Sequence, residues 1–310
     1  MFWIYLIKLT RPANLLIIAL TMYAFHRHHY FWAAKNPAIT DAVEFWNMDF
    51  ILLVFSTVLI AAAGNIINDY FDIRIDRINK PEKIIVGKYV KKRVAMLVHI
   101  LFNTVAVAIG CYLAIRYENP VPLIVHVITT TLLWMYSLYM KKKFLTGNIA
   151  VAVMTALIPL LTIWFDKSIY GMLYSAKDWD YVKNVVYVFS YFAFITTLIR
   201  EIQKDYADQK GDEAYGCKTV PVIMGNKKGK IVLTALFLLA SVSLLYLTFT
   251  YLSSQLHMLY VILAVFGPIV VSWVYTVYAS ERKGWILASD LMKISMLTAI
   301  LFFTFVIYAG

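Results

Sequence analysis

Nine apolar runs recur along the chain, each close to the ~20 residues that carry a helix across a bilayer core. They lie near 12 to 30, 49 to 70, 93 to 115, 120 to 140, 147 to 165, 182 to 203, 230 to 252, 256 to 279 and 286 to 308. Hydrocarbon offers no partner for a free N–H or C=O, so each run must satisfy its own backbone and fold as a helix. The expected fold is all-α: a polytopic membrane protein with nine transmembrane helices. Composition agrees, with 61% hydrophobic and only 15% charged residues, against about 25% charged in soluble domains. The first run opens at Arg11-Pro12 with no small-residue cleavage site after a short apolar core, and is expected to be a retained span and not a signal peptide.

The formal net charge of +11 does not point to nucleic acid, because the basic residues alternate with the spans. The loops on the N-terminal side hold 22 Lys and Arg and those on the other side 6. Positive loops stay in the cytoplasm, so the N-terminus is expected inside and the C-terminus outside, in an integral multi-pass cell membrane protein. Cys111 and Cys217 are too few for a disulfide framework and are read as small packing residues. His26, His28 and His29, in the segment HRHHYFWAAKNPAITDAVEFW, lack metal-ligand spacing and are expected as exposed residues of an aromatic interfacial belt. His99, His126 and His257 are read as polar packing residues.

No connecting segment is long enough for a soluble domain. The chain is expected to be one domain, 1 to 310, with two long polar cytoplasmic loops near 72 to 93 and 200 to 230. Each loop opens with an acidic helix end: NIINDYFDIRID from Asn65, and REIQKDYADQKGD from Arg200. At about 100° per residue, Asn68, Asp72 and Asp76 fall within an arc of about 80°; Asp69 points elsewhere and is expected to pair with a lysine. Asp205, Asp208 and Asp212 form a second stripe with Glu201 beside it.

Carboxylates aligned at four-residue spacing at the edge of an apolar phase repel one another and need a cation. Oxygen-only donors suit Mg²⁺, which keeps several waters and bridges carboxylates to substrate phosphates. The lysines nearby, Lys80, Lys83 and Lys88 after the first stripe, Lys204 within the second and Lys141 in YSLYMKKK, supply the other half of a phosphate site. Solvated helix ends whose acids and bases simply pair are the plain alternative. Two stripes on the same side, each with lysines, favour the metal-phosphate reading.

These residues resemble the UbiA superfamily of intramembrane prenyltransferases. Asn68, Asp72 and Asp76 are similar to that family's Asn-x-x-x-Asp-x-x-x-Asp motif, and Asp208 and Asp212 to its Asp-x-x-x-Asp. RINKPEKIIVGKYV resembles the segment after the first motif, with Ile84 where a proline is frequent; Arg11, Asn14, Tyr136, Lys141 and Asn148 also fall at family positions. The resemblance implies nine helices around a central cavity open to lipid, with Mg²⁺ held by Asn68, Asp72, Asp76, Asp208 and Asp212. It also implies that Lys83, Lys141 and Lys204 act on the departing diphosphate, and that Tyr136 or Tyr139 stabilises the allylic cation through its π face. Arg11, Asn14, Asn68, Lys80, Tyr139 and Asp205 are the expected substrate-binding residues, and Asn65 an orienter behind Asn68.

The loop Arg200 to Gly225 resembles the branch of the family that acts on prenylated glycerol phosphates. The expected reaction is transfer of a geranylgeranyl group from its diphosphate to geranylgeranylglyceryl phosphate. Acceptor phosphate recognition would draw on Arg11, Lys88 or Lys218. An aromatic or tetrapyrrole acceptor is the alternative within the family. A cation or lipid transporter is the alternative outside it, weakened because the acids lie at helix ends and not in mid-span; a non-catalytic prenyl-lipid scaffold would lack the intact stripes.

Overall fold

The computed structural model describes the backbone of residues 2–33, 47–170 and 176–309, and the side chains of 2–31, 47–165 and 179–303. Two compact units make up the chain: Met1–Tyr139 with Leu157–Ser190, and Met140–Ala156 with Tyr191–Gly310. Among the described residues there is no strand, only a single bridge between Val86 and Val90.

In the first unit α1 (Phe2–Thr10) and α2 (Pro12–Ala33) meet at Arg11. Proline disfavours helical backbone in the residue before it, and Arg11 takes φ 57° while Pro12 opens the next helix, where its missing N–H costs nothing. The two helices bend by 48° there. Asn47 caps α3 (Met48–Asn79) by accepting from Asp49 N at 2.8 Å. Buried Asp49 then ties that end of α3 to the end of α4 (Lys92–Arg116), accepting from Arg116 Nε at 2.5 Å and Tyr117 Oη at 2.8 Å. Gly64 lets α3 approach α5 (Val121–Leu138), since a Cβ there would stand 2.9 Å from the Leu133 methyls.

Histidine in this unit serves packing. His126 shares a 2.7 Å hydrogen bond with Ser56, and His99 one of 2.9 Å with the Ala63 carbonyl, as expected. His26, His28 and His29 differ from expectation: all three are buried, and His26 stacks on Phe50 with centroids 3.7 Å apart. The apolar cluster of Met22, Phe50, Leu53 and Leu113 draws this end of α2 inward. The rest of the expected aromatic segment, residues 32–46, lies outside the described side chains.

In the second unit the polar loops are shorter than the sequence suggests. The apolar run near 182 to 203 continues as one helix, α7 (Ala176–Ala214), and α8 begins at Val220 and runs to Tyr251. In the first unit α3 likewise carries its polar stripe as helix to Asn79. α8 kinks at Gly225, whose φ of 65° only glycine adopts freely. Beyond the kink, Gly229 faces Tyr206 so closely that any Cβ would overlap the phenol; Tyr206 Oη donates to the Gly225 carbonyl at 2.8 Å and its ring stacks on Trp285.

The next span runs through α9 (Gln255–Tyr260), a π-helical turn (Val261–Phe266) and α10 (Gly267–Tyr278). Pro268 cannot donate to the turn before it and crowds the Ala264 carbonyl. The final helix, α11 (Arg282–Ala309), supplies the missing donors: Thr298 Oγ1 to Ala264 O at 2.5 Å and Ser295 Oγ to Val265 O at 2.8 Å. Such repair by neighbouring hydroxyls is what permits an irregular helix in hydrocarbon.

Among the described residues eight helices are long and apolar enough to cross a membrane, and nine if the bent α1–α2 pair counts as one. Their outward faces are apolar, with Leu97, Ile100 and Leu101 on α4 and Val242, Tyr246 and Phe249 on α8 all exposed. Exposed apolar surface on this scale belongs to lipid. The fold is that of an integral, polytopic, all-α membrane protein.

Candidate active site

In the first unit the acidic stripe forms the polar end of α3. Ile66, Ile67 and Ile73 pack inward while Asn68, Asp72 and Asp76 keep partly exposed side chains. The helix stops at Lys80, whose N–H donates to Asp76 O at 2.8 Å and whose ammonium stands 3.4 Å from Asp76 Oδ1. Pro81 then starts a 3-10 turn that carries Lys83, exposed at its end.

Asp69 leaves the stripe as expected, but its partner is an arginine: Arg11 Nη2 donates to Asp69 Oδ1 at 2.5 Å. Asn65 differs from its expected role of orienting Asn68, since its Nδ2 donates to the Thr10 carbonyl at 2.9 Å. Both bonds fasten the break between α1 and α2 onto α3 where the stripe begins. Asn14 lies just past that break, with its N–H donating to the Arg11 carbonyl at 2.9 Å. Tyr136 sits in the last turn of α5, partly exposed, and Tyr139 caps that helix, exposed.

In the second unit the stripe lies on the last four turns of α7. Asp205 accepts from Asn148 Nδ2 at 2.8 Å. Asn148 reaches it because Gly147 allows the turn Met140–Lys142 to settle on the start of α6 (Thr146–Tyr170): a Cβ at 147 would meet the Lys141 backbone at 2.7 Å. Lys218 N closes the same region by donating to Lys142 O at 2.7 Å. Glu201, almost fully buried, is held by Arg200 Nη1 at 3.0 Å and by Lys204 Nζ at 2.8 Å. Lys204 therefore stands inside the acidic face, neutralising one of its members.

Arg282, the first residue of α11, was not legible as a functional residue. Its Nη2 stands 3.5 Å from Asp208 Oδ1, and its Nε is buried without a hydrogen-bond partner. In sequence it is one of two basic residues in a short positive loop, with nothing to distinguish it from an interfacial anchor.

The donor set fits Mg²⁺. Every expected ligand is an oxygen donor, and a lysine or arginine already stands beside Asp76 and Asp208, so these carboxylates demand positive charge. Among the described residues no three His, Cys, Asp or Glu side chains converge into a closed cage, which is the usual situation for a cation that completes its shell with waters and substrate phosphate.

Comparison with known proteins agrees with this chemistry. The UbiA prenyltransferase family matches residues 31–297. The digeranylgeranylglyceryl phosphate synthase of Methanosphaera stadtmanae is 28% identical over 96% of this chain and 97% of its own. That of Methanothermobacter thermautotrophicus is 30% identical over 71% and 69%. Among solved structures, a UbiA homologue from Aeropyrum pernix superposes with a TM-score of 0.63 at 15% identity, over 93% of this chain and 98% of its own. A UbiA homologue from Archaeoglobus fulgidus bound to GPP and Mg²⁺ gives 0.58 at 16% identity, over 96% and 99%. Shared length, shared fold and two oxygen-rich helix ends converge on one conclusion: the chain belongs to the UbiA prenyltransferase family.

Proposed function

We propose that this protein transfers a geranylgeranyl group from its diphosphate to the free hydroxyl of geranylgeranylglyceryl phosphate, at the cytoplasmic face of the membrane and with Mg²⁺. The observation that carries the reading is the acidic face of α7, where Glu201, Asp205, Asp208 and Asp212 are interleaved with Arg200 and Lys204 and met by Arg282 of α11. The near full-length similarity to digeranylgeranylglyceryl phosphate synthases supports the acceptor, and the alternation of basic loops supports the orientation.

In this reading Asn68, Asp72 and Asp76 on α3, and Asp208 and Asp212 on α7, hold Mg²⁺. Bound Mg²⁺ would supply positive charge to the diphosphate as its bond to the allylic carbon breaks. Lys80, Lys83, Lys141 and Lys204 add donors to the diphosphate oxygens, where charge develops on ionisation, and Arg11 and Asn14 border the substrate. Asp205, fixed by Asn148, presents its carboxylate to the substrate on this face of α7. Tyr136 and Tyr139 offer aromatic faces to the allylic cation. Apolar surroundings keep bulk water from quenching it. The acceptor oxygen then bonds to the allylic carbon, the hydroxyl proton is released, and an ether link results.

The test uses purified protein, geranylgeranyl diphosphate and the glyceryl phosphate acceptor, with Asp72→Ala and Asp212→Ala variants. Mg²⁺-dependent diphosphate release in the parent and its loss in both variants is expected. Variants as active as the parent would contradict the ligand assignment.

A further inference from the structure

A second cluster of cations in the first unit lies apart from the acidic stripe, built from α1 and the loop between the 3-10 turn and α4. Ile85 O accepts the N–H groups of Lys88, Tyr89 and Val90 at 2.9 to 3.2 Å, and Gly87 N donates to Val90 O at 2.8 Å. Gly87 takes φ 85°, a conformation that closes the loop tightly and projects Lys88 and Tyr89 outward. Val86 and Val90 point inward and pack with Leu9 of α1 and with Ile66 and Ile73 of α3. The loop is thus a shaped platform resting on the helix that bears the first acidic stripe.

On this platform Tyr89 stacks face to face with Tyr5, centroids 3.8 Å apart and planes within 1°. Lys8, one turn after Tyr5, holds its ammonium 5.6 Å from the Tyr5 centroid, and Lys88 stands 5.0 Å from that of Tyr89. The Lys88 ammonium beside Tyr89, reinforced by the Tyr5 hydroxyl and more weakly by Lys8, holds the Tyr89 phenol below its ordinary range. Among the described residues neither Lys8 nor Lys88 has a carboxylate within ion-pair distance. Two ammonium groups and two phenols are therefore gathered with no anion among them.

We propose that Tyr5, Lys8, Lys88 and Tyr89 form a binding site for a phosphate monoester at the membrane surface, the headgroup of the glyceryl phosphate acceptor. A phosphate monoester carries a charge of about −1.5 to −2 at neutral pH and three acceptor oxygens. It thereby matches two cations and the Tyr89 hydroxyl, where a single carboxylate leaves a cation unused. A diphosphate would call for metal ligands, which this cluster lacks. Placement favours the acceptor: in a glycerol phosphate the reacting hydroxyl is only a few bonds from phosphorus, and the platform packs on α3 at Ile66 and Ile73, on either side of Asn68 and Asp72. The inference rests on the proposed function for the identity of the ligand, not for the existence of the site.

The experiment compares full-length parent, Lys8→Gln/Lys88→Gln, and Lys227→Gln/Lys228→Gln as an equal loss of charge at exposed residues of α8. One arm measures binding of a short-chain phosphatidic acid in neutral micelles, with phosphatidylcholine as blank and inorganic phosphate as competitor. A second arm measures KM for acceptor and donor separately. The Lys8/Lys88 pair should weaken phosphatidic acid binding and raise the acceptor KM by about tenfold or more, a charge-assisted hydrogen bond being worth roughly a factor of ten. Donor KM should not move, the Lys227/Lys228 pair should resemble the parent, and inorganic phosphate should compete only weakly, as expected for a site that reads a lipid headgroup.

Equal weakening by both pairs would reduce the cluster to general surface charge and overturn the site. Lost lipid binding with an unchanged acceptor KM would overturn its assignment to the acceptor. A parent without transfer to glyceryl phosphate would contradict the proposed function, while the phosphatidic acid arm would still decide the site.

Discussion

Arg282 Nη2 stands 3.5 Å from Asp208 Oδ1, bringing the first residue of the last helix against a carboxylate in the middle of the α7 stripe. In the metal-free protein the guanidinium balances a charge that a bound cation would otherwise balance. Arg282→Gln should therefore lower the melting temperature in EDTA. Both side chains are partly exposed, so the loss should be no more than about 1 kcal/mol. Added Mg²⁺ should then stabilise the variant more than the parent. Equal Mg²⁺ shifts in the two proteins would show that Arg282 and the metal do not compete for Asp208.

Asn148 and Asp205 make a pair that can be exchanged. Asn148 is buried and donates to Asp205 at 2.8 Å, so Asn148→Ala should cost about 1–3 kcal/mol by leaving the carboxylate without its donor. Asn148→Asp should cost more, since it sets two carboxylates against each other. The double exchange Asn148→Asp/Asp205→Asn should restore the melting temperature while leaving transfer impaired. Full recovery of activity would mean that Asp205 matters only for packing.

Gly229 is required by Tyr206. Gly229→Ala should destabilise the protein by about 1–3 kcal/mol, the usual cost of overpacking. Adding Tyr206→Phe, which removes the oxygen that a Cβ would overlap, should recover part of that loss in a thermal unfolding series. No recovery would locate the strain elsewhere in α8.

The stripes themselves were legible because carboxylates at four-residue spacing have little reason to sit beside an apolar run, and because helical periodicity puts them on one face. The spans were legible for the reason given by hydrocarbon itself. Helix ends were less so: α3 and α7 continue well past their apolar runs, since a polar stripe can stay helical once it leaves the membrane. Asp69 reads as a stray acid in sequence and proves to be a fastening for Arg11, a contact 58 residues long that no local pattern reveals. Arg282 was invisible for the same reason, and the burial of His26 depends on Phe50 in another helix.

Chelation should abolish activity, and Mg²⁺ should restore it. Asp72→Ala and Asp212→Ala should each lower kcat by about 10²-fold or more, the scale on which removing electrostatic stabilisation of a developing anion acts. Diphosphate release measured across a Mg²⁺ titration checks both. A parent equally active in EDTA would contradict the metal assignment for both helices.

The acceptor distinguishes this enzyme from others of its fold. Purified protein with geranylgeranyl diphosphate and Mg²⁺ is offered geranylgeranylglyceryl phosphate together with aromatic carboxylates and a homogentisate-type phenol, and products are read by mass. The expected product is a single new ether lipid carrying two geranylgeranyl chains. A product formed only on an aromatic ring, with the glyceryl phosphate untouched, would contradict it.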